Sequence, residues 1–535
     1  MLKVTCLGAT QTVTGSNFLL QTDSGTKFLL DCGLFQGPRK IERRNWEDWG
    51  FYPSDIEALI VTHAHIDHSG RIPKLVKDGF AGRILTTHPT ADLCRIMLLD
   101  AAHIQESQAQ WESKRRKRQG KTPVDPLYTA EDAQKAMEYF HPVQRDELIE
   151  LHSELQIRFR NAGHILGSSI VELWTMDQEE EMKVVFSGDL GQENQLIIQA
   201  PHEIFNTDHL FIESTYGDRN HRSFAESKEE LLQAVTHSVQ AGEKVLIPAF
   251  AVERTQEILY ILGEFHRQGR LPDVPIFLDS PLAIKATEIF RENTKDYDQD
   301  ARALVSRGVD PFSLPNLTFT ASTQESMALN GRQGPAIIIA GNGMCTAGRI
   351  VHHLKHNLWR KGCSVVIVGF QVAGSTGRKL VDGAKQVKVL GETVSVRAKV
   401  FTIGGFSAHA DQSDLLEWIG HFRNHPKVYL VHGEEKASTA LAQLIGKQHG
   451  FQVHIPRWKE RLVLKARQEV EEIFAQDEAA TDLSTSALNT LVDMERLVKE
   501  LRKQLQNPEG GPDLDEEDLE RLQSVYQDLQ TMRGA

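Results

Sequence analysis

The chain has 535 residues and a formal charge of −13, with 40% hydrophobic and 25% charged residues. That length exceeds one ordinary domain of about 150 residues, and the composition excludes a collagen-like, rod-like or wholly disordered chain. An acidic balance argues against a phosphate-bearing partner, but residues 469–535 hold 17 acidic and 6 basic side chains, so −11 of the −13 lies there and the body carries only −2.

The opening MLKVTCLGAT reads as a strand, without the basic and long apolar regions of a secretory signal. No apolar run reaches the roughly 20 residues that span a bilayer, so no membrane association is expected. Strand-like runs follow in LKVTCLGA, NFLLQT, KFLLDCG and ALIVTHAH, then in LQIRFRNAGH, SSIVELWTM and KVVFSGDLG. A helical stretch from Ala91 to Gly120 interrupts them and ends in Lys114, Arg115, Arg116, Lys117 and Arg118. That cluster is either a solvated helix end or a guide for a polyanion. From about Gly217 the texture changes: KVLIPAFA, PIFLDS, PAIIIAG and SVVIVGF are apolar runs alternating with helices, the mark of a parallel sheet with crossover helices. After Lys388 the first texture returns, which makes the α/β block an insertion. Residues 484–535 read as a helical hairpin. Leu491, Met494, Val498, Leu501 and Leu505 form a heptad seam, NPEGGPD breaks it, and Asp513 with Glu516 opens the second helix. The seam suits either packing on its own chain or a homodimer. Cys6, Cys32, Cys94, Cys345 and Cys363 are widely spaced with no CxxC pair, which points to a reducing, cytoplasmic setting rather than a disulfide framework.

The strongest chemical signal is VTHAHIDHSG. His63, His65, Asp67 and His68 put four potential metal ligands within six residues, after a β-run that delivers them to a loop. Alternation along an extended segment turns His63, His65 and Asp67 the same way, with His68 beginning the next helix. His164 and Asp189 also end apolar strands, each behind a glycine that lets the backbone approach a crowded site.

In order and type, Asp31, the HxHxDH run, His164 and Asp189 resemble the metallo-β-lactamase superfamily. The resemblance implies an αββα sandwich with metals at its edge. His63, His65 and His164 would hold one zinc and Asp67 and His68 a second, with Asp189 bridging and Asp31 a carboxylate behind the ligands that orients them. Later motifs narrow the resemblance: FIESTYG at 211–217, GFSAHAD at 405–411 and YLVHGE at 429–434 look like those of the β-CASP nucleases, over about residues 1–465. The RNA 3′-end processing branch is the most similar and ribonuclease J less so. This implies a metallo-β-lactamase domain at 1–214 and 391–468, an inserted doubly wound β-CASP domain at 215–390, and the hairpin tail. Archaeal members carry N-terminal KH domains; with the first strand at the start of this chain, none is expected here.

Carried over by position, His432 becomes the seventh ligand, on the second zinc, and RNA-acting members have His there. Glu213 and His409 become a pair that protonates the leaving oxygen, joining Asp67 as catalytic residues. The Gly-rich turns AGNGMCTAGRI and GFQVAGSTGRKL resemble loops near the scissile phosphate, giving Arg349, Ser375, Thr376 and Arg378 as RNA phosphate contacts. The function implied is a zinc-dependent ribonuclease with a two-metal mechanism, endonuclease, 5′-exonuclease or both. The rival readings are a small ester or thioester hydrolase and an inactive scaffold of a processing complex.

Overall fold

The computed structural model describes residues 1–177, 180–369, 371–372 and 374–466. The expected hairpin at 484–535, with the homodimer read from its seam, lies outside the described residues.

Two seven-stranded sheets face each other. The first runs in the order Arg461–Leu464, Leu2–Cys6, Phe18–Gln21, Lys27–Leu30, Ile56–Ile60, Arg83–Thr87, Phe140–Val143. The second places Val453–His454, Lys427–Val431, His209–Glu213, Glu180–Phe186, Ser169–Asp177, Leu155–Asn161 and Ile149–His152 side by side. Alternation sorts the strands into faces. Val4, Phe28, Leu30 and Ile60 of the first sheet meet Ile157, Phe159, Leu173 and Val184 of the second in one buried layer. Within it Phe186, Phe211 and Tyr429 stack across three adjacent strands, with centroids 4.4 and 4.5 Å apart. Outside the second sheet, Val185, Leu210 and Ile212 lie under Leu415 and Trp418 of helix Gln412–Gly420 and Leu441 of helix Glu435–Gln448. Outside the first, Leu29, Leu59 and Ile84 pack with Ile72, Leu75 and the 30-residue helix His88–Lys117. The order helix, sheet, sheet, helix is an αββα sandwich.

His209–Glu213 pairs directly and in parallel with Lys427–Val431, although the strand-and-helix block lies between them in the sequence. That block is therefore an insertion. It builds a six-stranded sheet, parallel throughout, in the order Leu317–Phe319, Ile276–Asp279, Ala336–Ala340, Lys244–Pro248, Ser364–Ile367, Lys399–Thr402. Its central strands are buried on both faces, which is why AIIIA and SVVI read as unbroken apolar runs.

The sheet pairing departs from the expected return of the first domain at residue 391. Lys399–Thr402 still belongs to the inserted sheet, paired with Ser364–Ile367 at its edge. An edge strand keeps exposed positions, here Lys399 and Thr402, so KVFT lacks the unbroken apolar run of the central strands and its sequence hides its membership. All five cysteines are free and buried. None of the described helices is long and apolar enough to cross a membrane.

Candidate metal centre

Strand Ile56–Ile60 runs out at Val61 and delivers Thr62, His63, Ala64 and His65 to one end of the sandwich. His65 then stands at the N-cap position of a short helix, Ile66–Ser69, its side chain making no capping bond. The extended alternation expected for His63, His65 and Asp67 thus stops early. Helical twist takes Asp67 with His68 into a separate group. Across the gap, Gly163 and Gly188 adopt left-handed φ values of 64° and 56° as they bring in His164 and Asp189. A Cβ on Gly163 would sit 2.7 Å from Pro201, so only glycine fits this approach. His432 follows strand Lys427–Val431 and itself holds φ at 46°, a strained value that its backbone N–H bond to the Ala9 carbonyl helps fix.

These residues form two groups of donor atoms. In one, His63 Nε2 and His164 Nε2 each lie 3.2 Å from His65 Nδ1, with Asp189 Oδ2 at 3.6 and 3.7 Å from the first two. In the other, His68 Nε2 lies 3.2 Å from His432 Nε2, which is 3.4 Å from Asp67 Oδ2. Asp189 Oδ2 is also 3.4 Å from His68 Nε2, so this carboxylate stands between the groups.

The opposite ring nitrogens decide what these atoms are. His164 Nδ1 faces the Ala408 carbonyl at 3.0 Å and must donate. His68 Nδ1 donates to Asp31 Oδ2 at 2.7 Å. Thr62 Oγ1 donates to Asp31 and accepts from His63 Nδ1 at 3.1 Å. Thr215 Oγ1 donates to Glu213 and accepts from His432 Nδ1, also at 3.1 Å. With hydrogen held on each Nδ1, four Nε2 atoms turn into a small buried space, those of His63 and His164 as bare lone pairs. Lone pairs at such separations repel unless a cation or proton lies between them. Asp189 Oδ1, buried and without a hydrogen bond, adds another unmet acceptor. Imidazole nitrogens with carboxylates are a donor set that suits zinc, and the residues present fit it.

Burial first, and the neighbouring rings His68 and His409 next, push His63 and His164 respectively well below the usual imidazole range; burial takes His65 down to about 4. Those rings are neutral and free to coordinate. His68 suffers the same burial, yet the charges of Asp189 and Asp31 outweigh it and raise its pKa well above the ordinary value. A divalent cation would compete with that proton. Burial works against ionised Asp67 and Asp189, but His432 and His68 hold Asp67 at about 2 and Asp189 well below the carboxylate range. The site therefore keeps its negative charge.

His409 lies just ahead of helix Gln412–Gly420, whose cap is Asp411, in reciprocal bonds with Asp414. Relieved of capping, His409 sends Nδ1 to Glu213 at 3.0 and 3.3 Å. Glu213 is fully buried and also accepts from Leu190 N and Thr215 Oγ1. Burial lowers the His409 pKa, but the Glu213 charge and hydrogen bond, then Asp189 and Asp67, carry it up to about 9. Asp67, His65 and His409 are partly exposed and form the mouth of the site. His63, His68, His164, Asp189 and Glu213 are its floor.

The expected phosphate contacts lie in the inserted domain. Ser375 caps helix Thr376–Val381, accepting from Arg378 N at 3.0 Å, while Arg378 is exposed and paired with Asp382. Arg349 differs from the expectation. Its terminal nitrogens donate to Asp279 at 2.7 Å and to the Thr320 and Ala321 carbonyls at 2.8 and 2.7 Å, which makes it an internal strut. Three groups that orient the rings carry no clear flag in the sequence: Thr62, Thr215 and the Ala408 carbonyl. A hydroxyl beside a ligand is the available signal for Thr62, and Thr215 sits inside ESTYG. A carbonyl gives none, since every residue has one.

The chain matches the metallo-β-lactamase superfamily model over residues 11–249, the Beta-Casp domain over 255–380, and the Zn-dependent metallo-hydrolase RNA specificity domain over 393–456. It is 38% identical over 459 residues to Ribonuclease TTHA0252 of Thermus thermophilus, covering 86% of this chain and 99% of that protein. With transcription termination factor FttA of Methanocaldococcus jannaschii the identity is 30% over 465 residues, 85% of this chain and 70% of that protein. An RNase J-like protein of the same organism is 30% identical over 454 residues, 84% of this chain and 96% of its own length.

Proposed function

Because this chain belongs to the metallo-β-lactamase superfamily and carries its Beta-Casp and RNA specificity domains, we propose that its metal centre holds two zinc ions and that RNA phosphodiester bonds are hydrolysed there. The chain is a metal-dependent ribonuclease. In this reading His63, His65 and His164 would hold one ion and Asp67, His68 and His432 the other, with Asp189 available to both. Bound zinc supplies Lewis acidity, making water nucleophilic near neutral pH and neutralising charge that builds on the phosphate.

The protein's own groups do the rest. Asp31 orients His68 directly and His63 through Thr62. Glu213 holds Nδ1–H of His409, which leaves Nε2 as the atom that carries a transferable proton to the departing 3′ oxygen. Ser375, Thr376 and Arg378 serve as phosphate contacts; Arg349 positions their domain instead. The observation that carries this reading is the set of four Nε2 atoms, each turned inward by a donating Nδ1, beside Asp189, whose Oδ2 stands 3.4 to 3.7 Å from three of them and whose Oδ1 has no hydrogen bond.

A small ester or thioester hydrolase would need no RNA specificity domain, and an inactive scaffold would not keep seven potential ligands together. Five free, buried cysteines suit the cytoplasm. The seam from Leu491 to Leu505 suits a homodimer, which light scattering on the full chain would detect. Mass-spectrometric metal analysis should find two zinc ions per chain, and a labelled RNA should be cut only until a chelator is added. A single zinc, or cleavage that survives chelation, would overturn the two-metal centre.

A further inference from the structure

The helix His88–Lys117 has two unlike ends. At its start Thr87 and Thr90 donate from Oγ1 to the carbonyl of Gly167, at 2.8 and 2.9 Å, in the loop that carries His164. Its 30 residues then lead about 45 Å along the helix axis from that loop. At the far end stand Lys114, Arg115, Arg116, Lys117 and Arg118, with Glu112 before them and Asp125 after them as the nearest acids in the sequence. Among the described residues only Arg115 of these five pairs with a carboxylate, Glu112 at 3.0 Å, while Arg116 donates to the Thr122 carbonyl. The partial negative charge of a helix C-terminus accounts for one or two cations there, not for five that repel one another.

Helical spacing puts Trp111, Arg115 and Arg118 on one face. The indole of Trp111 is 64% exposed, and the Arg115 guanidinium lies 5.4 Å from its ring centroid. An open ring with a guanidinium beside it, next to unpaired cations, is the chemistry of a single-strand platform: bases stack on the planar groups and phosphates neutralise the charges. An acidic peptide would use the charges and leave the ring idle.

We propose that the free end of this helix binds single-stranded RNA and holds the substrate well away from the metal loop. This rests on the ribonuclease reading above. The separation means that only strands longer than on the order of ten nucleotides engage both places at once.

The test uses the full chain with its zinc and hydrolysis-resistant phosphorothioate RNAs of about 6 and about 30 nucleotides, with affinity read by fluorescence anisotropy across a salt series. Lys114→Ala, Lys117→Ala and Arg118→Ala together should weaken the longer RNA about tenfold or more. They should also make its log–log salt slope shallower by about 2, since each phosphate contact contributes about 0.7 on a single strand. Trp111→Ala alone should weaken it about fivefold or more with the slope unchanged. The shorter RNA should lose little in either variant. Unchanged affinity for the longer RNA overturns the proposal and points to a protein occupant; equal losses for both lengths overturn it too. Failure of the ribonuclease reading looks different, because the wild-type chain would then leave unmodified RNA uncut whatever the anisotropy shows.

Discussion

Two buried aspartates divide the molecule. Asp279, at the end of a strand in the inserted sheet, receives Arg349 and Thr320 on one oxygen, both at 2.7 Å, and His353 and Ser326 on the other, both at 2.6 Å. Burial opposes its charge, but these four donors hold its pKa at about 2. Asp189 in the sandwich is equally buried and equally charged. Its nearest nitrogens stand at 3.4 to 3.9 Å, and Oδ1 has no hydrogen bond. Burial of a charge therefore does not mark function here; the state of its lone pairs does. Asp279 is complete and holds the inserted domain together. Asp189 keeps lone pairs that suit a cation.

The largest effect should follow from breaking the incomplete site. Asp189→Asn removes the shared anion, so bound zinc should fall and RNA cleavage should drop beyond about 10⁴-fold, the upper range for losing a general acid. The metal-free variant should be no less stable than the metal-free parent, since unmet charge has been removed. A variant that keeps two zinc ions and cuts RNA would break the comparison. His409→Ala sharpens it one step out: cleavage should slow by about 10²- to 10⁴-fold with zinc content intact. Bis-p-nitrophenyl phosphate, whose leaving group needs little protonation, should suffer much less. Equal losses on both substrates would make His409 a structural residue.

The complete site should answer in stability instead. Asp279→Asn strands the charge of Arg349 and upsets His353, and breaking such a buried pair typically costs about 3–5 kcal/mol. The denaturant midpoint should fall while zinc per folded chain stays at the parent value. Loss of zinc in this variant would show that the inserted domain also shapes the metal centre.

How much of this is legible in the sequence depends on chain separation. The HxHxDH run is visible because its ligands are neighbours, and the inserted sheet because doubly buried strands leave unbroken apolar runs. His164, Asp189, Glu213, His409 and His432 become readable only through family resemblance. Sheet pairing, such as His209–Glu213 beside Lys427–Val431, brings them together, and no local pattern encodes that. The division of ligands between groups likewise comes from the resemblance alone, because it turns on a helix that starts at Ile66. The role of Arg349 escapes, because its carboxylate partner lies 70 residues away. A glycine-rich turn looks the same whether its arginine faces a phosphate or an aspartate.

A third way of burying an acid lies between the two regions. Glu253 opens helix Arg254–Arg267 at φ 65° and accepts from the backbone N–H of Leu166, two residues past His164, at 3.3 Å. Its Oε1 has no hydrogen bond. Burial and then the charge of Glu257, partly offset by Arg254, raise its pKa to about 8. Where Asp279 is satisfied by donors and Asp189 suits a cation, Glu253 keeps its proton. A carboxyl whose folded pKa exceeds its unfolded value binds more protons when folded. Its contribution to stability is full below about pH 4.3 and is lost as pH rises through about 8, with a slope of at most about 1.4 kcal/mol per pH unit. Glu253→Gln cannot titrate, so the variant should gain on the parent steadily between pH 5 and pH 8. Denaturant midpoints of both proteins across that range measure the difference. Parallel curves would mean that Glu253 is charged throughout, and that a further donor or a cation satisfies it.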